Sequence, residues 1–221
     1  MKKKNKAIYL LFLMPFVYFA TACFVVWLVK TSGIYPSGSD TMYHVYRGDY
    51  VYNAIKSGNW YPLYDPAWYN GVEILRYWSP FPAYVMAFCQ YLAGGSQFGA
   101  YLFYIGGVCF LGACVWPFIG RGFNRPYLGA FIGLLWFFMP NNLCAIFIEG
   151  NLARSLSMIF LPVFIYSVYK YLYNHKLRYI PLMVFTFLLM ELCHLGYAGM
   201  VAIAVICLLY TSPSPRDLST S

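Results

Sequence analysis

Five apolar runs dominate the chain, at residues 7–29, 98–118, 127–147, 156–173 and 180–206. At ~1.5 Å per helical residue, each is about long enough to cross a ~30 Å hydrocarbon core. The expectation is an all-α membrane protein, a polytopic bundle of transmembrane helices. Composition agrees: 61% of residues are apolar, 22% aromatic and only 10% charged, far outside the range of a soluble domain. The formal charge of +8 is no nucleic-acid signal, because much of it sits in the short basic segments that orient membrane proteins.

The start "MKKKNK" and the run after it read as a retained anchor rather than a signal peptide, since the run is long and no small-residue cleavage site follows. The seven cysteines, Cys23, Cys89, Cys109, Cys114, Cys144, Cys193 and Cys207, are scattered through apolar segments without CxxC spacing and read as packing residues. From Cys207 the chain reads "CLLYTSPSPRDLSTS", a Ser/Pro-rich break in the apolar pattern. The run "CLLYTSPSPRD" matches one reading frame of a transposase-based sequencing adapter. Residues 207–221 are therefore expected to be a non-native tail, and 1–206 the N-terminal part of a longer transmembrane domain.

Residues 80–93, "PFPAYVMAFCQYLA", are apolar but too few for a span, and basic residues arbitrate. With the N-terminus cytoplasmic and this segment not crossing, the inner side collects Lys2, Lys3, Lys4, Lys6, Arg121, Arg125, Lys170, Lys176 and Arg178, and no acid. If it crossed, the later loops would invert and the count would fall to five inside against nine outside. The non-crossing topology places a long loop at 31–79, the "IEGNLARS" turn at 148–155 and the end of the fifth helix near His194 together on the outer side.

That loop carries the scarce charges. Pro36 to Ser39 provide a break, after which Asp40 to Ser57 can form a helix ended by Gly58. Asp40, His44 and Arg47 then fall at i, i+4 and i+7 on one face. One reading of Asp40 is a capping residue at the positive end of the helix dipole. The other is a site residue, since three ionisable types share a stripe interleaved with Tyr43, Tyr46, Tyr50 and Tyr52. Glu149 and Arg154 either neutralise each other or serve a site. Glu191 and His194 lie one turn apart near the outer end of the fifth run, where ionisable residues usually face a cavity. The cluster Trp60, Tyr61, Tyr64, Trp68, Tyr69, Tyr77 and Trp78 reads as an interfacial aromatic belt, or as rings that stack on sugars.

The order of a basic N-terminus, one span, "GSDTMYHVYR", "YPLYDPAWYNGVEILRYWSPFPAY" and "EGNLARSLSMIFLPVF" resembles bacterial membrane proteins related by name to 6-pyruvoyl-tetrahydropterin synthase. These in turn resemble the GT-C glycosyltransferases. The pterin name is only a label, because the zinc-binding histidine cluster of that soluble enzyme has no counterpart here. The resemblance implies a GT-C-like bundle in the bacterial cytoplasmic membrane whose outer loop carries short interfacial helices. It also implies transfer of sugar from a polyprenyl-phosphate donor to a cell-envelope acceptor, with membrane lipid and the lipid-linked sugar as partners and no nucleic acid. Such enzymes place an acid just after the first helix, and Asp40 is the matching residue, with His44 beside it as a catalytic candidate. Arg47, Arg76 and Arg154 are the candidates for the phosphate, because a guanidinium grips two oxygens at once, with Glu149 and His194 completing the substrate site. Many relatives carry paired acids in that loop, whereas Thr41 follows Asp40. A partner acid would be Asp49, Asp65 or Glu149, and a divalent metal is possible. The alternative is a non-catalytic envelope protein or lipid-linked glycan transporter on the same scaffold, which would carry midplane charges and broken helices.

Overall fold

The computed structural model describes residues 2–36 and 38–211, with side chains described from Phe12 onward. Residues 212–221 of the expected tail lie outside the described residues. Those described are helical throughout apart from loops, one isolated antiparallel bridge joining Asp65 to Val72. The all-α expectation holds, and the first four apolar runs lie in four helical segments, Phe12–Ser32, Gln97–Gly122, Pro126–Ile148 and Leu152–Leu172, long and apolar enough to cross a membrane.

Helix α1, Lys2–Ser32, is followed by α2, Thr41–Lys56, and α3, Phe81–Leu92. At 12 residues α3 reaches only about 18 Å, too short to span. It lies against α2 and α4, Gln97–Gly122. Helix α5, Pro126–Leu135, returns antiparallel along α4. Gly129 and Gly133 form a G-x-x-x-G pair on α5 that lets the backbones touch: a Cβ on Gly129 would stand 2.8 Å from the Gly120 Cα. Lipid tails supply no hydrophobic drive between helices, so close approach of small residues provides the packing instead. Tyr18 of α1 crosses this pair, fully buried, and its hydroxyl donates to the Ala130 carbonyl at 2.8 Å.

The third span is not one regular helix. After α5 come a 3-10 turn at Trp136–Phe138, the short α6 at Pro140–Leu143 and a π-helical turn at Cys144–Ile148. Proline at 140 has no N–H to offer the carbonyl of Trp136, four residues back. The buried Asn142 compensates, its Nδ2 donating to the Trp136 oxygen at 2.9 Å. The fourth span is likewise two helices, α7 at Leu152–Met158 and α8 at Leu161–Leu172, with Pro162 in the first turn of the second.

The fifth run departs from expectation. Instead of one helix over 180–206 it forms α9, Ile180–Cys193, and α10, Leu195–Thr211, broken at His194 with φ −156° and ψ 96°. The His194 Nδ1 accepts the Tyr197 N–H at 3.0 Å, so this side chain caps a new helix rather than continuing the old one. Helix α10 also runs four residues past Cys207, where the apolar pattern was expected to stop.

Candidate functional site

Helix α2 begins at Thr41 with Asp40 as its N-cap residue and ends one residue before Ser57, while Gly58 turns the chain with φ +86°. The capping reading of Asp40 fails in one respect: its side chain makes no cap hydrogen bond. Its backbone is fixed instead, because the Asp40 N–H donates to the Glu149 carbonyl at 3.1 Å, and the Ser39 hydroxyl donates to the same oxygen at 3.1 Å. Gly150 makes this possible. With φ +68° it turns the "EGN" segment beneath the loop, and a side chain there would collide with the Thr41 hydroxyl. The two sequence signatures, "GSDxxxH" and "EGNLARS", are thus one structural joint.

Above that joint opens a cavity of about 1160 Å³, walled by Asp40, His44 and Arg47 from α2, the 61–80 loop, Asn151, and the α9–α10 break. The predicted i, i+4, i+7 stripe does face one space. Arg47 is 1% exposed; its Nη2 reaches the carbonyls of Trp78 and Ser79 at 3.4 and 3.3 Å, and its Nε has no partner. Among the described residues no carboxylate comes within ion-pair distance of it. Burying an uncompensated charge is expensive, so a guanidinium left in this state on a cavity wall has the charge and geometry to meet an anion. Its other neighbour is the Tyr43 ring, 5.4 Å from the guanidinium carbon.

His44 is 8% exposed and its ring makes no hydrogen bond among the described residues. Burial, then the positive charge of Arg47 and the neighbouring His194, push its pKa down to about 3, so the ring is neutral at physiological pH. Burial also raises the Tyr43 hydroxyl and opposes the charge on Arg47. His194 presents Nε2 3.3 Å from the Asn151 Nδ2, while the Asn151 Oδ1 caps α7 by accepting the Arg154 N–H at 3.0 Å. Asn151 and Ser79 were not singled out from the sequence, although a polar residue directly before "LARS" is an N-cap signal.

The remaining candidates divide. Arg76 reaches the cavity but is exposed and paired with Glu73 at 2.6 Å. Glu149 and Arg154 bind each other at 2.7 Å and do not belong to the cavity wall. Burial alone would raise the Glu149 pKa, but hydrogen bonds from Cys144 and Arg154 outweigh it and hold the carboxyl below its ordinary range. The expected partner acids are engaged elsewhere. Asp49 accepts from Gln90 at 2.6 Å, and the buried Asp65 accepts from the Tyr46 hydroxyl and the Ala67 N–H. The second acid on the cavity wall is Glu191. Among the described residues no three of His, Cys, Asp and Glu gather as a metal site would need. The aromatic cluster is partly a wall of the site: Tyr43 packs edge-on against Trp68 at 5.2 Å and Trp78 at 5.5 Å.

Residues 75–216 match a membrane-protein family described as the 6-pyruvoyl-tetrahydropterin synthase related domain. The chain belongs to this family. The matched stretch starts in the cavity loop and includes the "EGN" turn, Glu191 and His194, but not Asp40, His44 or Arg47. It also continues through α10 and beyond Thr211. Comparisons with curated proteins and with solved structures give no match. Membership in the 6-pyruvoyl-tetrahydropterin synthase related family accords with the apolar spans and assigns no chemistry to the cavity.

Proposed function

We propose that the chain is part of a membrane glycosyltransferase of GT-C type that takes sugar from a polyprenyl-phosphate donor on the outer face of the bacterial cytoplasmic membrane. The observation that carries this reading is the pairing, on one cavity wall, of an Asp40 carboxylate free of a capping role with a buried Arg47 that lacks a carboxylate partner. Transfer requires both. The acceptor oxygen forms a bond to the sugar's anomeric carbon while its proton passes to Asp40, and the bond to the phosphate oxygen breaks with its electron pair. Arg47 meets the departing phosphate, and Trp68 and Trp78 offer faces on which a sugar ring stacks. His44, neutral beside Arg47, donates or accepts a hydrogen bond without adding charge.

The test is transfer of radiolabelled sugar from a polyprenyl phosphate in membranes carrying the protein. Asp40→Asn should lower transfer by ~100-fold or more, the scale for losing a proton acceptor. Unimpaired transfer by that variant would remove Asp40 from the chemistry. The interruption of the third span at Pro140–Asn142 supports a second reading, a lipid-linked glycan transporter, because broken helices are a feature of transporters. Translocation of labelled lipid without transfer of its sugar would favour that reading.

A further inference from the structure

Glu191 sits in the last turn of α9, on the cavity wall, and its carboxylate has no hydrogen-bond or ion-pair partner among the described residues. Its backbone is not free. The Ser79 hydroxyl donates to the Glu191 carbonyl at 2.9 Å, and the Ser79 carbonyl accepts from Arg47 at 3.3 Å. One residue of the loop therefore ties the end of α9 to the buried cation of α2. The Glu191 carboxylate, half-buried on the cavity wall and without a partner among the described residues, is free to meet whatever enters the cavity. The ligand signal does not come from acids alone. His44, more than nine-tenths buried, lines the same cavity with its ring packed on Tyr43 but without a hydrogen bond among the described residues, and the Arg47 Nε is buried without a partner.

We infer that Glu191 is the specificity residue of this cavity, accepting hydrogen bonds from a sugar's donor groups, hydroxyl or ammonium, while Ser79 positions it relative to Arg47. The inference rests on the transferase reading for the identity of the ligand as a sugar, and on the cavity alone for the place where it binds. A carboxylate can accept from two neighbouring hydroxyls at once, and a site built to receive hydrogen bonds discriminates strongly, because ligands lacking donors leave its polar groups unpaired. The aromatic wall of Tyr43, Trp68 and Trp78 supplies the ring-stacking surface around it. Neither Asp49 nor Asp65 can share the role, since both are engaged away from the cavity.

The experiment has two arms, on wild type, Glu191→Gln, Glu191→Asp and Ser79→Ala in lipid nanodiscs. In the first, tryptophan emission is titrated with methyl glucoside, which offers hydroxyls only, and with glucosamine, which adds an ammonium. Saturable quenching that weakens about tenfold in Glu191→Gln and less in Glu191→Asp is expected, and the probe that shows it names the group. In the second arm, KM for the polyprenyl-phosphate sugar should rise about tenfold in Glu191→Gln with kcat within twofold, whereas Asp40→Asn should lose kcat. Ser79→Ala should shift KM in the same direction by a smaller factor. Quenching that is absent in wild type, or equal in wild type and Glu191→Gln, overturns the inference. Glu191-dependent quenching without any transfer by wild type leaves the inference standing and removes the transferase reading.

Discussion

The Asp40 N–H donates to the Glu149 carbonyl at 3.1 Å, joining two segments 109 residues apart in sequence and anchoring the start of α2, whose Asp40, His44 and Arg47 line the cavity. The bond depends on backbone rather than on either carboxylate.

Gly150 takes φ +68° with the Thr41 hydroxyl and the Gly38 backbone against it. Gly150→Ala adds a left-handed strain of about 1 kcal/mol or more and a collision with Thr41. The expected outcome is a thermal midpoint several degrees lower in detergent, together with loss of sugar-dependent quenching. An unchanged midpoint would show that the loop and the turn separate without cost.

Asp40→Ala should cost the fold little, within about 0.5 kcal/mol, because the side chain makes no cap bond that the change could remove. A capping aspartate replaced by alanine typically costs ~1 kcal/mol. A fall in thermal stability on that scale would restore the capping role.

The Glu149–Arg154 pair makes stability depend on pH in a defined direction. Glu149 has a folded pKa below its ordinary value of 4.5, so its contribution is present above that value and is lost as pH falls through the depressed folded pKa. The Glu149 side chain is about a third exposed, so solvent screening limits the effect to less than ~1 kcal/mol. Midpoints of wild type and Arg154→Gln should differ at pH 7 and converge as pH falls below 4.5 and on through the depressed folded pKa. A difference that does not narrow at all as the medium is acidified would assign the pair's effect to packing.

The topology rests on the nine basic residues assigned to the inner side. In a background without native cysteines, cysteine at Asn124 should react with an impermeant maleimide only from the cytoplasmic side, and cysteine at Tyr69 only from the outer side. Outer labelling at Asn124 would invert the assignment.

Much of this architecture is legible in the sequence. Long apolar runs can satisfy their backbone in hydrocarbon only as helices, so the all-α class and four of the spans follow from hydropathy alone. The length of 80–93 pointed to a helix too short to span, which the 12-residue α3 is, and the 3.6-residue period placed Asp40, His44 and Arg47 on one face, which lines the cavity. Hydropathy averages over a window, however, and does not register where a uniformly apolar run changes direction. The break at His194 depends on a side chain that caps the helix following it, and the interruption near Pro140 depends on Asn142 reaching back to Trp136. Which charges are spent was also a tertiary decision. Asp49, Asp65, Arg76, Glu149 and Arg154 looked equivalent to Asp40, Arg47 and Glu191 as residue types, because a charge reads the same in sequence whether or not a partner stands beside it. Glu73 and Arg76, and Glu149 and Arg154, pair within a single stretch of chain, but packing alone brought Gln90 to Asp49 and Tyr46 to Asp65 and left Asp40, Arg47 and Glu191 facing the cavity, because no local period connects segments so far apart in sequence.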